Sequence, residues 1–153
     1  MKIYLNILLL LWIPCLLSAI SGNSPASIGT LQFWVNSQLY KADSTHARGY
    51  AVRQSSLAYI NGANSDMVIG VQWNGVKGPG TFLIDAREGK AEFSTNNKTY
   101  LLKQTGDYLK VTVKAVKQQG AFLLLSGTFE GQLQDRNGNK LKITEGFFET
   151  RSL

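Results

Sequence analysis

Few residues of this sequence are of types that could perform acid–base or metal chemistry. His46 is the only histidine, and it follows the polar run Asp43-Ser44-Thr45. Nucleophilic catalysis needs an oriented nucleophile and a third group beside the base, and a metal site needs several ligands at suitable spacing. Neither pattern accompanies this histidine. We therefore interpret His46 as an exposed loop residue and predict no metal site and no cofactor.

Two pairs of carboxylates could in principle hydrolyse glycosidic bonds. Glu130 and Glu145 are expected to face each other across a hairpin, and Asp85 lies near Glu88 at a turn. Glycosidases use paired carboxylates as acid and as base or nucleophile. Cross-strand charges and turn acids are also ordinary surface features. We predict no catalytic residue, and a carboxylate-dependent hydrolase is the least favoured function.

Aromatic side chains provide the clearest candidates for binding. Trp34 and Phe147 are out of phase with the apolar positions of their segments, and Tyr108 and Tyr100 are expected to lie outside as well. Exposed rings among Asn and Gln suit stacking on sugars or packing against a protein. We predict a ligand-binding role for Trp34, Tyr108 and Phe147. The alternative for Trp34 is that its ring covers a second sheet or a sandwich edge.

Residues 1–21 have the composition of a secretory signal peptide. Lys2 is their only charge, an apolar run covers residues 7–17, and small residues follow. A basic start, a short apolar region and a small-residue exit are typical of export signals. Cleavage is expected after Ala19 or after Ser21. The sequence thus predicts an exported protein, located in the periplasm, at the cell surface or in the medium, with contact to the membrane only through this signal.

Two other interpretations of this segment are less favoured. An uncleaved membrane anchor would need about 20 apolar residues, whereas this run is shorter and contains Pro14. Lipidation at Cys15 would call for a small residue immediately before the cysteine, where Pro14 stands.

Composition restricts the chemistry of the mature chain. Cys15 is the only cysteine, so its removal leaves no disulfide, thiolate metal site or cysteine nucleophile. Removing 21 of 153 residues leaves 132, with 15 basic and 10 acidic side chains and a net charge of +5. This length suits one domain. Outside the cytoplasm, such a charge favours a glycan, a lipid or an envelope protein as partner, and no nucleic acid.

The segment that organises the fold is a long hairpin over residues 123–148. Its first arm alternates apolar and polar side chains with a period of two, which is typical of a strand with one buried face. Asn137-Gly138 favours the turn. The alternation then slips at Glu145-Gly146. A one-residue bulge there would return Phe148 to the core and turn Phe147 outward.

The remaining chain consists of short alternating runs separated by turn signals about every ten residues. No stretch of the mature chain shows a sustained helical period. We predict a flexible leader over residues 22–29 and one all-β domain over 30–153. Its expected architecture is a single antiparallel β-sandwich or a closed β-barrel of about nine or ten short strands, with Trp73 in the core.

Three groups of motifs resemble a family of small exported bacterial proteins. The C-terminal part contains Ser126-Gly127-Thr128-Phe129 and Ile143-Thr144-Glu145-Gly146-Phe147-Phe148; the opening hairpin is FWVNSQLYKA at residues 33–42; and Gly80-Thr81-Phe82 stands at the centre. The chain resembles domain of unknown function 6252 over most of its mature length. That resemblance implies a β-sandwich or barrel in the cell envelope, and no site residues. Glu145 stands where that family more often has Asn.

These observations lead to one preferred function and one alternative. The preferred function is a non-enzymatic binding or interaction module outside the cytoplasm. The alternative is a lipocalin-like barrel that carries an apolar ligand inside. The chain lacks the early Gly-x-Trp signature of lipocalins, and an interior cavity above roughly 300 Å³ would favour this alternative.

Overall fold

The computed structural model describes residues 28–95, 97–103 and 106–153. The predicted signal peptide and residues 22–27 of the predicted leader lie outside this part. Within it the regular elements are eleven β-strands, joined by antiparallel pairing into one sheet. The all-β prediction is confirmed. The described residues contain no helix of the length and apolar character needed to cross a membrane.

The strands coincide with the alternating runs of the sequence, including two runs of four residues. Their bounds are β1 Ile28–Val35, β2 Gln38–Lys41, β3 Arg48–Val52, β4 Leu57–Ala63, β5 Met67–Trp73, β6 Gly80–Ile84, β7 Gly89–Thr95, β8 Lys98–Leu101, β9 Tyr108–Gln119, β10 Phe122–Gln134 and β11 Lys140–Ser152. Strand β1 includes Ile28 and Gly29, which pair with Ser152 and Thr150 of β11. The last two residues of the predicted leader therefore belong to the sheet.

The long strand β10 connects two layers of the sheet. One layer has the order β2-β1-β11-β10-β9-β6, and the other has the order β3-β4-β5-β7-β8. Strand β10 pairs with β3 near its start, and Gln134 at its end pairs with Leu101 of β8. The second layer is thus hydrogen-bonded to β10 at both ends, so this part of the sheet closes on itself.

Aromatic side chains fill the space between the two layers. Phe33 of β1 packs edge-on against Phe93 of β7 at 5.3 Å between ring centroids, and Phe33 also contacts Phe129 at 5.7 Å. Trp73 of β5 is buried against Phe82 of β6, which confirms its predicted place in the core. Such pairs stabilise beyond the area they bury, so they hold the layers face to face.

The predicted bulge is present in β11. On β10, one residue lies between the paired positions Phe129 and Gly131, whereas two residues lie between their partners Ile143 and Gly146 on β11. Glu145 occupies this extra position with a φ of 50°. As a result Phe148 is fully buried while Phe147 is 37% exposed. The bulge therefore moves apolar side chains between faces as the sequence predicts.

Candidate ligand-binding groove

Trp34 and Phe147 both lie on the outer face of the first layer. Trp34 is 36% exposed and stands between Leu39 of the edge strand β2 and Thr144 of β11. Phe147 is opposite Gln32 and Thr128. The bulge of β11 therefore lies between Thr144, which is opposite Trp34, and Phe147. Trp34 points outward, as predicted, and does not belong to the buried core cluster.

Phe147 lines a small hollow that does not include the other two predicted residues. The hollow encloses about 350 Å³ and is bordered by both carboxylates of the predicted pair, Glu130 and Glu145. Glu130 is in an exposed ion pair with Lys110, with 3.4 Å between Oε1 and Nζ. Tyr108 is exposed at the start of β9, outside this hollow. The structure does not bring the three predicted ligand-binding residues into one site.

Tyr100 was expected outside, and this prediction is wrong. The Tyr100 ring is half-buried against the core and stacks on Phe93, with an interplanar angle of 22°. Strand β8 has four residues, which is too few to define the phase of an alternation from sequence. Its inward orientation is set by the pairing of Tyr100 with Phe93 in the sheet.

The remaining candidates for chemistry hold turns together. Asp85 accepts hydrogen bonds from the Arg87 side chain, with Nη2 at 2.9 Å, and from the Arg87 backbone N–H, so its pKa lies below the ordinary value for an aspartate. A carboxyl group with a lowered pKa is ionised near neutral pH and is a poor general acid. His46 is exposed, with Nδ1 3.2 Å from Thr45 Oγ1. Across the described part of the chain, no group of three or more His, Cys, Asp or Glu residues is placed to hold a metal.

A groove of about 510 Å³ crosses the outer face of the second layer. Its main feature is a row of outward side chains that runs across neighbouring strands, perpendicular to the strand direction. Each strand contributes one side chain, and the last side chain of the row follows the end of β8. Tyr50 pairs with Tyr59, Tyr59 with Gln72, and Gln72 with Lys90. The same register places Lys103, just beyond β8, next to Lys90. The groove thus changes from aromatic to amide to basic along its length.

The aromatic end of the groove is rigidly packed. Tyr50 and Tyr59 stack with ring centroids 5.1 Å apart and an interplanar angle of 25°. Phe122 of β10 supports Tyr50 edge-on at 5.7 Å. Burial, followed by the neighbouring Tyr59 hydroxyl, raises the pKa of Tyr50, so this phenol stays neutral. One face of Tyr59 is covered by Tyr50, which leaves the opposite face toward the groove.

Gly70 forms the floor of the groove. It lies between Asn61 and Glu92 in the register of the sheet. A Cβ atom added there would meet a single nearby atom, Asn61 Oδ1 at 3.5 Å. The absence of a side chain therefore creates the depression. Glu92 bonds to Ser94 Oγ at 2.9 Å.

A buried polar pair holds the basic end. The Lys103 backbone N–H donates to Asp107 Oδ2 at 3.3 Å, and Gln134 Nε2 donates to Asp107 Oδ1 at 2.7 Å. Asp107 is 2% exposed and Gln134 is 6% exposed. These bonds fix the chain that carries Lys103 to the end of β10.

A larger hollow of about 790 Å³ adjoins this groove and shares Glu92 and Leu101 with it. Its walls are mainly the turns around Lys98 and Asn137, and no aromatic ring lines it. We regard the smaller groove as the candidate site because rings and unpaired amides converge there, which is typical of ligand sites. The larger hollow extends the accessible surface beyond it.

Neither Tyr50 nor Tyr59 is among the binding residues predicted from the sequence. The available signal was their phase: Tyr50 lies next to buried Ala51, and Tyr59 stands between buried Ala58 and Ile60. This alternation places both rings on the outer face. It does not show that they are neighbours, because that depends on the pairing of β3 with β4.

Comparisons with known proteins found no relative of this chain. The chain matches no protein-family model, and neither the curated proteins nor the solved structures include a significant match. Membership of domain of unknown function 6252 therefore stays a prediction that rests on the turn and core motifs of the sequence.

Proposed function

We propose that this protein is an exported, non-enzymatic binding module that recognises a hydroxyl-rich ligand, such as a glycan, at the groove of the second layer. The observation that carries the proposal is the row from Tyr50 through Gln72 to Lys103. A ring face, amide groups and open access are the features that suit the apolar and hydroxyl faces of a sugar.

The amide groups of the groove are available for such a ligand. Within the described part of the chain, the side chains of Asn61 and Gln72 make no hydrogen bond to protein. Both are half-buried beside Gly70. An amide offers two donors and an acceptor, so each can bond neighbouring hydroxyls while the ring of Tyr59 packs against the sugar.

The interior offers less support for the lipocalin-like alternative. Phe33 contacts both Phe93 and Phe129 between the layers, where an enclosed ligand would have to lie. A surface groove needs no rearrangement of this core.

Thermal shift and calorimetric titration against neutral and acidic oligosaccharides, lipopolysaccharide fragments and fatty acids test the proposal. A saccharide at about 100 times its dissociation constant should stabilise the protein by about 2.7 kcal/mol. Gly70→Val should abolish the effect, because it fills the floor with a residue that strands accommodate well. The free protein should keep its melting temperature.

Two control variants distinguish this groove from the aromatic residues predicted by sequence. Trp34→Ala and Phe147→Ala remove exposed rings from the first layer and should leave saccharide binding unchanged. If these variants abolish binding and Gly70→Val does not, the site is on the other layer and the proposal is wrong. Binding of fatty acids in place of saccharides would favour the lipocalin-like alternative.

Export is a separate part of the proposal. It is supported by the basic start, apolar run and small residues of the first 21 positions. Sequencing the N-terminus of the protein recovered from a Gram-negative host should find Ile20 or Gly22 first, in the periplasm or the medium. An intact Met1 in the cytoplasm would contradict it.

A further inference from the structure

Two lysines lie directly beside each other at the basic end of the groove. Glu92 pairs with Leu101, and the backbone N–H of Leu102 donates to the Ala91 carbonyl. The next outward position of β7 is therefore Lys90, and its neighbour across the register is Lys103. Like charges directly opposite on neighbouring strands repel each other and destabilise the sheet.

No acidic side chain of the described residues neutralises this pair. Neither lysine takes part in an ion pair, although Glu92 lines the same groove. Glu92 Oε1 instead accepts a hydrogen bond from Ser94. Both lysine side chains are exposed and are available to an anion.

From this arrangement we propose that Lys90 and Lys103 form an anion subsite, so that the ligand of the groove is an acidic oligosaccharide carrying carboxylate or phosphate groups. This inference rests on the proposed function and names its ligand class. A bound anion between the lysines removes their repulsion and forms charge-assisted hydrogen bonds with both.

The rest of the row explains why the anion belongs to an extended saccharide. Neighbouring strands are about 4.8 Å apart, so the four steps from Tyr50 to Lys103 cover roughly 19 Å. Gln72 lies between the ring of Tyr59 and the lysines. A ligand that reaches both ends must present an apolar ring face, hydroxyl groups and a negative charge in this order.

The structure also fixes the subsite in place. The backbone at Lys103 is held by buried Asp107, which in turn is held by Gln134. These two residues act as positioning residues, since they lie behind the chain that carries Lys103 and do not line the groove. A subsite on a fixed backbone loses less conformational entropy when it binds a ligand.

Calorimetric titration with oligogalacturonate and with its methyl ester tests the inference, because the two differ in charge and share the same sugar. Oligogalacturonate should bind more tightly, and added salt should reduce the difference. Lys90→Gln and Lys103→Gln should each weaken its binding roughly three- to fivefold, and the double variant tenfold or more. Binding of the methyl ester should be unaffected.

Three controls make the result specific. Lys114→Gln removes an exposed lysine of β9 on the other layer and should leave both affinities unchanged. A phosphorylated oligosaccharide, compared with oligogalacturonate, tells whether phosphate or carboxylate fits better. Inorganic phosphate alone should bind far more weakly than either, and equal affinity would overturn the saccharide assignment.

The outcomes separate this inference from the function on which it rests. If the ester binds as tightly as the acid and the lysine variants have no effect, while Gly70→Val still abolishes binding, the anion subsite is wrong and the binding function stands. If no saccharide binds, both are overturned.

Discussion

The α-carbon of Gly146 lies directly against Phe129, its partner across the β10–β11 hairpin. A Cβ added to Gly146 would collide with the Phe129 carbonyl oxygen and stand 2.7 Å from the Cδ1 atom of its ring. This close approach lets Phe129 reach the interior contacts with Phe33 and Phe148. The bulge beside Gly146 and the aromatic core therefore depend on the same small residue.

The first prediction concerns this contact. Gly146→Ala should reduce the free energy of unfolding by about 1–3 kcal/mol, because the methyl group overpacks backbone as well as a ring. Urea unfolding measures the loss. Gly78→Ala is the matched control, since nothing lies within 4 Å of a Cβ added there. Equal effects of the two substitutions would show that the close packing at Gly146 is not important.

The second prediction concerns the backbone of Glu145. Its φ of 50° is in the left-handed region, which costs a residue with a Cβ roughly 1–2 kcal/mol. Asn tolerates this conformation and Gly adopts it freely. Glu145→Gly should therefore stabilise the protein by roughly 1 kcal/mol and Glu145→Asn by less. Glu149→Asn, in extended strand, should give no gain. Destabilisation by Glu145→Gly in thermal unfolding would contradict the expected relief.

The third prediction tests the orientation that the bulge imposes on two adjacent rings. Phe148→Ala should cost about 3–5 kcal/mol, because it leaves a cavity beside Phe129. Phe147→Ala removes a ring that is 37% exposed and should cost less than about 1 kcal/mol. Chemical unfolding of both variants gives the comparison. A larger loss of stability for Phe147→Ala than for Phe148→Ala would contradict the bulge at Glu145.

The fourth prediction concerns stability at low pH. The Asp135 carboxylate accepts hydrogen bonds from the Asn139 side chain at 2.8 Å and from the backbone N–H groups of Asn139 and Asn137. These bonds, led by that of the Asn139 side chain, lower the pKa of Asp135 below its ordinary value. The pKa of Asp85 is lowered mainly by its hydrogen bond with the Arg87 side chain.

A pKa that is lower in the folded state means that the unfolded chain binds protons first. The stabilisation by Asp135 and Asp85 is therefore complete at a pH above the aspartate pKa of the unfolded chain, which is about 4. It is lost as the pH falls through the lower pKa values of the folded protein. Urea midpoints measured from about pH 6 to about pH 2 should decline, and Asp85→Asn with Asp135→Asn should flatten the decline. An unchanged slope would show that neither turn contributes.

Local patterns in the sequence predicted much of this architecture. The period-two alternation of residues 123–134 places Leu125, Phe129 and Leu133 inside, and all three are buried. The slip of phase at Glu145-Gly146 predicted the bulge, because one extra residue exchanges the faces of a strand. Tyr100 is one failure of this reasoning, since its strand of four residues is too short to display a period.

The tertiary structure decided which strands are neighbours, and with them the candidate groove. Strand β7 pairs with β5, whereas β6, which lies between them in sequence, pairs with β9 in the other layer. This arrangement brings Gln72 beside Lys90 and, through β8, Lys90 beside Lys103. The sequence by itself determined that Gln72 and Lys90 face outward, because alternation is a local property of each strand. The orientation of Lys103, beyond the short strand β8, was decided by its pairing with β7. Their assembly into one row required the tertiary structure, because strand order and register depend on hydrogen bonds and core packing between distant parts of the chain.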